Sequence, residues 1–77
     1  MILIDVRTKD EYESDHIDGA ILHDIMDMTH GIFPEIDKNE EITVYCQSGS
    51  RSKIAKIILE KSGFKKVTDV GSINNFR

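Results

Sequence analysis

The sequence predicts an α/β fold built on a small parallel sheet, and two observations carry that prediction. Short apolar, β-branched segments alternate with segments of helical patterning, in the order strand–helix–strand–helix–strand–helix–strand. Such an order calls for right-handed crossovers and a parallel sheet. The first strand, Ile2 to Val6, is apolar on both faces, as a strand covered on two sides must be. Sites in folds of this kind lie at the carboxyl ends of the strands.

Each element has its own local justification. Thr8-Lys9-Asp10-Glu11 matches a capping box, with a hydroxyl at the N-cap and Glu at N3. A helix is predicted from there to about His16, with Tyr12 its only large apolar anchor and an acidic first turn that suits the dipole. Ile17-Asp18-Gly19 is predicted to end it, Gly19 supplying a positive φ. Ala20-Ile21-Leu22 is expected as a very short strand, and Asp24 to Thr29 as a short helix or irregular turn. Pro34 breaks any helix, and Asp37-Lys38-Asn39-Glu40 forms a polar turn. Ile42 to Tyr45 is the expected central strand. From Lys53 to Ser62 the spacing is helical, with Ile54, Ile57 and Ile58 as the core stripe and Ala55 and Leu59 widening it. Ser62-Gly63-Phe64 fits a Schellman stop. Lys65 to Val70 is the last strand, Gly71 the turn after it, and Ile73 to Arg77 the start of a final short helix.

Composition narrows the class. A length of 77 residues implies one domain, residues 1–77, which buries only ~60% of its unfolded surface. With 39% hydrophobic and 31% charged residues the chain is expected to fold rather than remain disordered. The formal net charge of −4 argues against nucleic acid as a partner. No apolar run approaches the ~20 residues of a membrane span. Met1 to Ile4 is too short for a signal peptide and lacks a basic leader. A cytoplasmic location is therefore expected, or a periplasmic one had a leader been removed. A start directly in a core strand suggests a minimal or trimmed version of a longer fold. The missing strand would leave a sheet edge open to pairing, although a monomer is expected.

The stretch that carries chemistry is Cys46-Gln47-Ser48-Gly49-Ser50-Arg51-Ser52. It joins the end of a strand to the start of a helix. That geometry aims backbone N–H groups and the positive end of a helix dipole at one sulfur. The thiolate, which is the nucleophile, is favoured there, and the Cys46 pKa is expected to fall from ~8.5 into the ~3.5–7.5 range of activated cysteines. Ser50 or Ser52 is expected as the helix N-cap. A cation at Arg51 opposes the dipole, which implies a functional reason for it. A single cysteine allows no internal disulfide, so any sulfur or disulfide chemistry finishes on a second molecule.

Asp5-Val6-Arg7, Glu11-Tyr12, His16-Ile17-Asp18-Gly19-Ala20, the cysteine loop, and Asp69-Val70-Gly71 together resemble the rhodanese-like domain. The likeness is greatest to small single-domain bacterial sulfurtransferases of the phage-shock-protein E type. It implies a three-layer fold, with helices on both faces of the sheet, and a cysteine that carries sulfane sulfur as a persulfide. Cys46 would be the nucleophile, Gln47 to Arg51 the cradle, and Arg51 the group attracting an anionic donor such as thiosulfate. The acceptor would be cyanide, a thiol, or a thioredoxin-like or other protein. No cofactor is implied. The resemblance also implies a structural ion pair between Arg7 and Glu11. Three departures stand out: the further strand and helix usual before the Asp5-Val6-Arg7 strand are not seen in this sequence, Ser72 replaces a usual Gly, and Phe76 replaces a usual Trp.

Alternatives are weighed on the same residues. Related phosphatases close their loop on an arginine one residue later, which suits a phosphate; four residues between Cys46 and Arg51 suit a single sulfur. No motif supplies a phosphatase general acid. A rhodanese-type module kept for binding or regulation, and a merely buried thiol, are the remaining readings of Cys46. His16, His23 and His30 recur every seven residues, but Gly19 interrupts any helix aligning them and no metal is expected. His16 is read as a hydrogen-bonded structural residue.

Overall fold

The computed structural model describes residues 1–76. Its elements are β1 (Ile2–Asp5), α1 (Lys9–Ser14), β2 (Ile21–Leu22), α2 (Ile25–Thr29), β3 (Glu41–Cys46), α3 (Ser50–Lys61) and β4 (Lys66–Ser72), closed by a 3₁₀ turn over Ile73–Phe76. The four strands form one sheet in the order β2-β1-β3-β4. Every pairing is parallel. The predicted α/β architecture is borne out, with β3 in the interior.

Alternation along the strands divides the core into two layers. Ile42, Val44 and Cys46 of β3 share one face with Ile4 and Val6, and there meet α2 and α3 through Met28, Ala55 and Leu59. Tyr45 turns to the other face, where Ala20, Ile73 and the half-buried Tyr12 and Ile17 cover it. Helices therefore lie on both faces.

Local signals explain most boundaries. The capping box at Thr8 forms as predicted, Thr8 Oγ1 accepting from the Glu11 N–H and Glu11 Oε1 accepting from the Thr8 N–H. α1 ends earlier than expected: Asp15 is extended at φ −174°, and Gly19 belongs to a separate turn. At the end of α3, Phe64 N–H donates to Leu59 C=O and Gly63 N–H to Glu60 C=O, which is the Schellman pattern.

Three expectations are corrected. α3 starts at Ser50, and its N-cap is Gly49 rather than Ser50 or Ser52. Its buried face is Ser52, Ala55 and Leu59, with Ile58 half-buried; Ile54 and Ile57 are 49% and 45% exposed. Small side chains at 52 and 55 let the helix approach the sheet, and the two isoleucines fall on its flank. Gly71 is not a turn after β4 but lies within it. Val44 opposes Asp69 and Tyr45 opposes Gly71, so Val70 is the extra residue of a β-bulge. The final turn is confirmed as far as Phe76; Arg77 lies outside the described residues.

Candidate active site

Cys46 is the last residue of β3, and its side chain is fully buried between the sheet and the first turn of α3. Gly49, at φ +104°, turns the chain back over the sulfur so that its N–H donates to Cys46 Sγ at 2.9 Å. This left-handed conformation strains any residue with a Cβ. A Cβ at 49 would also meet Gly71 Cα at 3.6 Å, so the bulge in β4 is where the loop comes down on the sheet.

Ser52 completes the surroundings of the sulfur. Its hydroxyl, also fully buried, accepts from the Cys46 S–H at 3.6 Å and donates to Gly49 C=O at 3.1 Å; once the thiol ionises, the rotatable hydroxyl is placed to donate to the sulfur instead. Burial alone would push the Cys46 thiol up. The Ser52 N–H and hydroxyl and the Gly49 and Ser48 N–H groups more than offset that, and the pKa lies below its ordinary value. Stabilisation of the thiolate comes from N–H and O–H dipoles, as the loop geometry predicted.

The start of the loop is tied down twice, both times at Gln47. Ser72 Oγ donates to Gln47 C=O at 2.8 Å, and Arg7 Nη1 donates to Gln47 Oε1 at 3.0 Å. Ser72, a departure from the family pattern, is thus the residue that fastens the loop to β4. Gln47 does not turn its side chain into the cradle; it reaches across to Arg7, just beyond β1.

The ion pairing differs from expectation. Arg7 pairs not with Glu11 but with Asp5, through Nε and Nη2 at 2.8–3.1 Å. Glu11 instead chelates Arg51, with Nη1–Oε1 at 2.6 Å and Nη2–Oε2 at 2.9 Å. The reason is direction: Arg7 follows β1 and folds back over Asp5 two residues earlier, leaving Glu11 to face α3. Arg51 therefore holds a carboxylate in place of an empty anion site. The pair, through its hydrogen bonds first, takes Glu11 down to about 2.

A buried network escaped the sequence analysis. Asp5 and Arg7 are almost wholly buried, and Asp5 Oδ2 accepts from Tyr45 Oη at 2.7 Å. Tyr45 Oη in turn accepts from the Ile17 N–H at 3.2 Å. Burial first, with the Asp5 carboxylate adding, pushes Tyr45 up to about 12 and keeps it a donor. The available signal was two opposite charges two residues apart at the end of an apolar strand. A cavity of about 390 Å³ opens beside this network, its walls including Arg7, Glu11, Asp15 and Gln47 but not Cys46.

The histidines are separate. His16 Nδ1 donates to Tyr12 C=O at 2.7 Å while its ring stacks on Tyr12 at 3.8 Å, the structural role expected. His23 and His30 bond the carbonyls of Ile32 and Met26. Among the described residues no three ligand-type side chains gather as a metal site.

A parallel three-layer α/β domain with a cysteine loop at the carboxyl end of an interior strand defines a class, and comparison with known proteins supplies its name. A family profile described as the rhodanese-like domain matches residues 1–77, and the chain belongs to that family. It is 34% identical over 73 residues to the thiosulfate sulfurtransferase PspE of Escherichia coli, which covers 94% of this chain and 70% of that protein. Against YrkF of Bacillus subtilis identity is 40% over 68 residues, spanning 88% of this chain and 36% of YrkF. A solved structure of a rhodanese with anions from Escherichia coli superposes with a TM-score of 0.86 at 33% identity, covering 96% of this chain and 88% of that one.

Proposed function

We propose that residues 1–77 form one sulfurtransferase domain that moves a sulfane sulfur from a donor such as thiosulfate to a thiol or cyanide through a Cys46 persulfide. The observation that carries the proposal is the Gly49 N–H on Cys46 Sγ at 2.9 Å, backed by the buried Ser52 hydroxyl. A buried thiol kept only for packing has no need of a backbone N–H and a hydroxyl converging on it. PspE and the anion-bearing rhodanese, both similar over nearly the whole chain, support the same chemistry.

In the forward step the Cys46 thiolate attacks the outer sulfur of thiosulfate. A Cys46–S bond to that sulfur forms, the S–S bond of thiosulfate breaks, and sulfite leaves with the electron pair. Loop N–H groups offset the charge that develops on the transferred sulfur. In the second step an acceptor thiolate or cyanide attacks the outer persulfide sulfur and Cys46 leaves as thiolate. Two half-reactions through one covalent intermediate give ping-pong kinetics.

The test is thiocyanate formation from thiosulfate and cyanide. Parallel double-reciprocal lines, abolished by Cys46→Ala, support the proposal. Phosphate release from an aryl phosphate without thiocyanate would favour the phosphatase reading, and a reactive thiol without turnover the binding-module reading.

A further inference from the structure

Arg51 lies in the first turn of α3, directly after the loop that covers the sulfur, and after its hydrogen bond to Glu11 the charges of Cys46 and Asp24 also favour its protonated form. In rhodanese-type chemistry it is the cation placed to meet an anionic donor. Yet both of its terminal nitrogens are bound to the two oxygens of Glu11. Their side chains are 32% and 31% exposed, so the pair sits at the surface, where an incoming anion competes with it. The wall beside it is acidic too: Glu11, Asp10 and Asp15 line the neighbouring cavity, and the one cation there, Arg7, is matched by Asp5.

We infer that Glu11 is a specificity-determining residue: by holding Arg51 it lowers the site's preference for doubly charged donors relative to singly charged ones. The inference rests on the proposed sulfurtransferase activity. A thiosulfate dianion reaching the loop must displace the Glu11 carboxylate or do without the guanidinium. A monoanionic donor of the same sulfur, such as a thiosulfonate or an organic persulfide, loses less. With methanethiosulfonate the step balances in the same way: Cys46 gains the outer sulfur, the S–S bond breaks, and methanesulfinate leaves. Because Glu11 stays ionised down to about pH 2, the clamp is present throughout any neutral assay.

The experiment compares kcat/KM for thiosulfate and for methanethiosulfonate in wild type, Glu11→Gln, Glu11→Ala and Thr8→Ala. Gln is a normal N3 capping-box residue, so Glu11→Gln removes the charge and keeps the cap; Thr8→Ala weakens the cap and keeps the charge. The thiosulfate-to-methanethiosulfonate ratio is expected to rise about tenfold in both Glu11 variants, the size a single nearby charge gives at a protein surface. The rise should come through the thiosulfate KM, with Thr8→Ala unchanged. A constant ratio in both Glu11 variants, or an equal shift in Thr8→Ala, overturns the inference and leaves the activity standing. A wild type that takes sulfur from neither donor overturns the activity and the inference together.

Discussion

At the scale of single residues, Cys46 combines two properties that usually oppose each other: complete burial and a pKa below the ordinary thiol value. Burial disfavours the thiolate, so the dipoles around it must overcome that penalty. Ser52 supplies both an N–H and a hydroxyl. In Ser52→Ala the pH midpoint for Cys46 alkylation should therefore rise toward the usual thiol range, because less stabilisation of the thiolate means a higher pKa. Rates of iodoacetamide labelling against pH check this, and an unmoved midpoint would exclude the hydroxyl. Asp5 is the second residue of consequence. Removing it in Asp5→Ala strands the Arg7 charge and the Tyr45 hydroxyl in the interior, a change that costs about 3–5 kcal/mol. Urea denaturation reads the loss directly.

At the scale of elements, α3 matters through the face it buries and the helix to which it is clamped. Leu59 is fully buried while Ile54 is 49% exposed. Leu59→Ala should lower stability by about 2–5 kcal/mol, and Ile54→Ala by no more than about 0.5 kcal/mol. Equal costs would contradict the observed helix rotation. The Glu11–Arg51 clamp joins α1 to α3 and gives an acid limb whose sign is fixed. Hydrogen bonds to Arg51 lower Glu11 from 4.5 to about 2. Its stabilisation is thus full above about pH 4.5 and lost as pH falls toward 2. Both side chains are about a third exposed, so solvent screening holds the contribution to about 1 kcal/mol or less. Stability measured between those pH values should be flatter in Glu11→Gln than in wild type.

At the scale of the whole molecule, the sheet, its parallel sense and the cysteine loop were legible because their signals are local. Strand patterning, the capping box at Thr8, the Schellman stop at Gly63 and the residues Cys46 to Ser52 each lie within one short segment. What was not legible depends on contacts between distant segments. Arg51 and Glu11 are 40 positions apart, as are Arg7 and Gln47, and nothing in one sequence pairs them. The orientation of α3 is illegible for a related reason. Ile54 and Ile57 look like core by hydrophobicity, but the helix is set against the sheet by small residues, Ser52 and Ala55, whose burial composition does not announce. Gly71 reads as a turn until the bulge in β4 brings it beneath Gly49. β4 also forms an edge of the sheet, paired on one side to β3. The site is thus assembled by the fold as a whole: β3 delivers the cysteine, the loop and the first turn of α3 the donors, β4 the support and α1 the counter-charge.

All of these pieces converge on one sulfur, and intact mass spectrometry after incubation with thiosulfate interrogates it most directly. The expected result is a gain of one sulfur atom, removed by cyanide or a thiol and absent in Cys46→Ala. An unchanged mass in the wild-type protein, with Cys46 still open to alkylation, would contradict a persulfide carrier at this site.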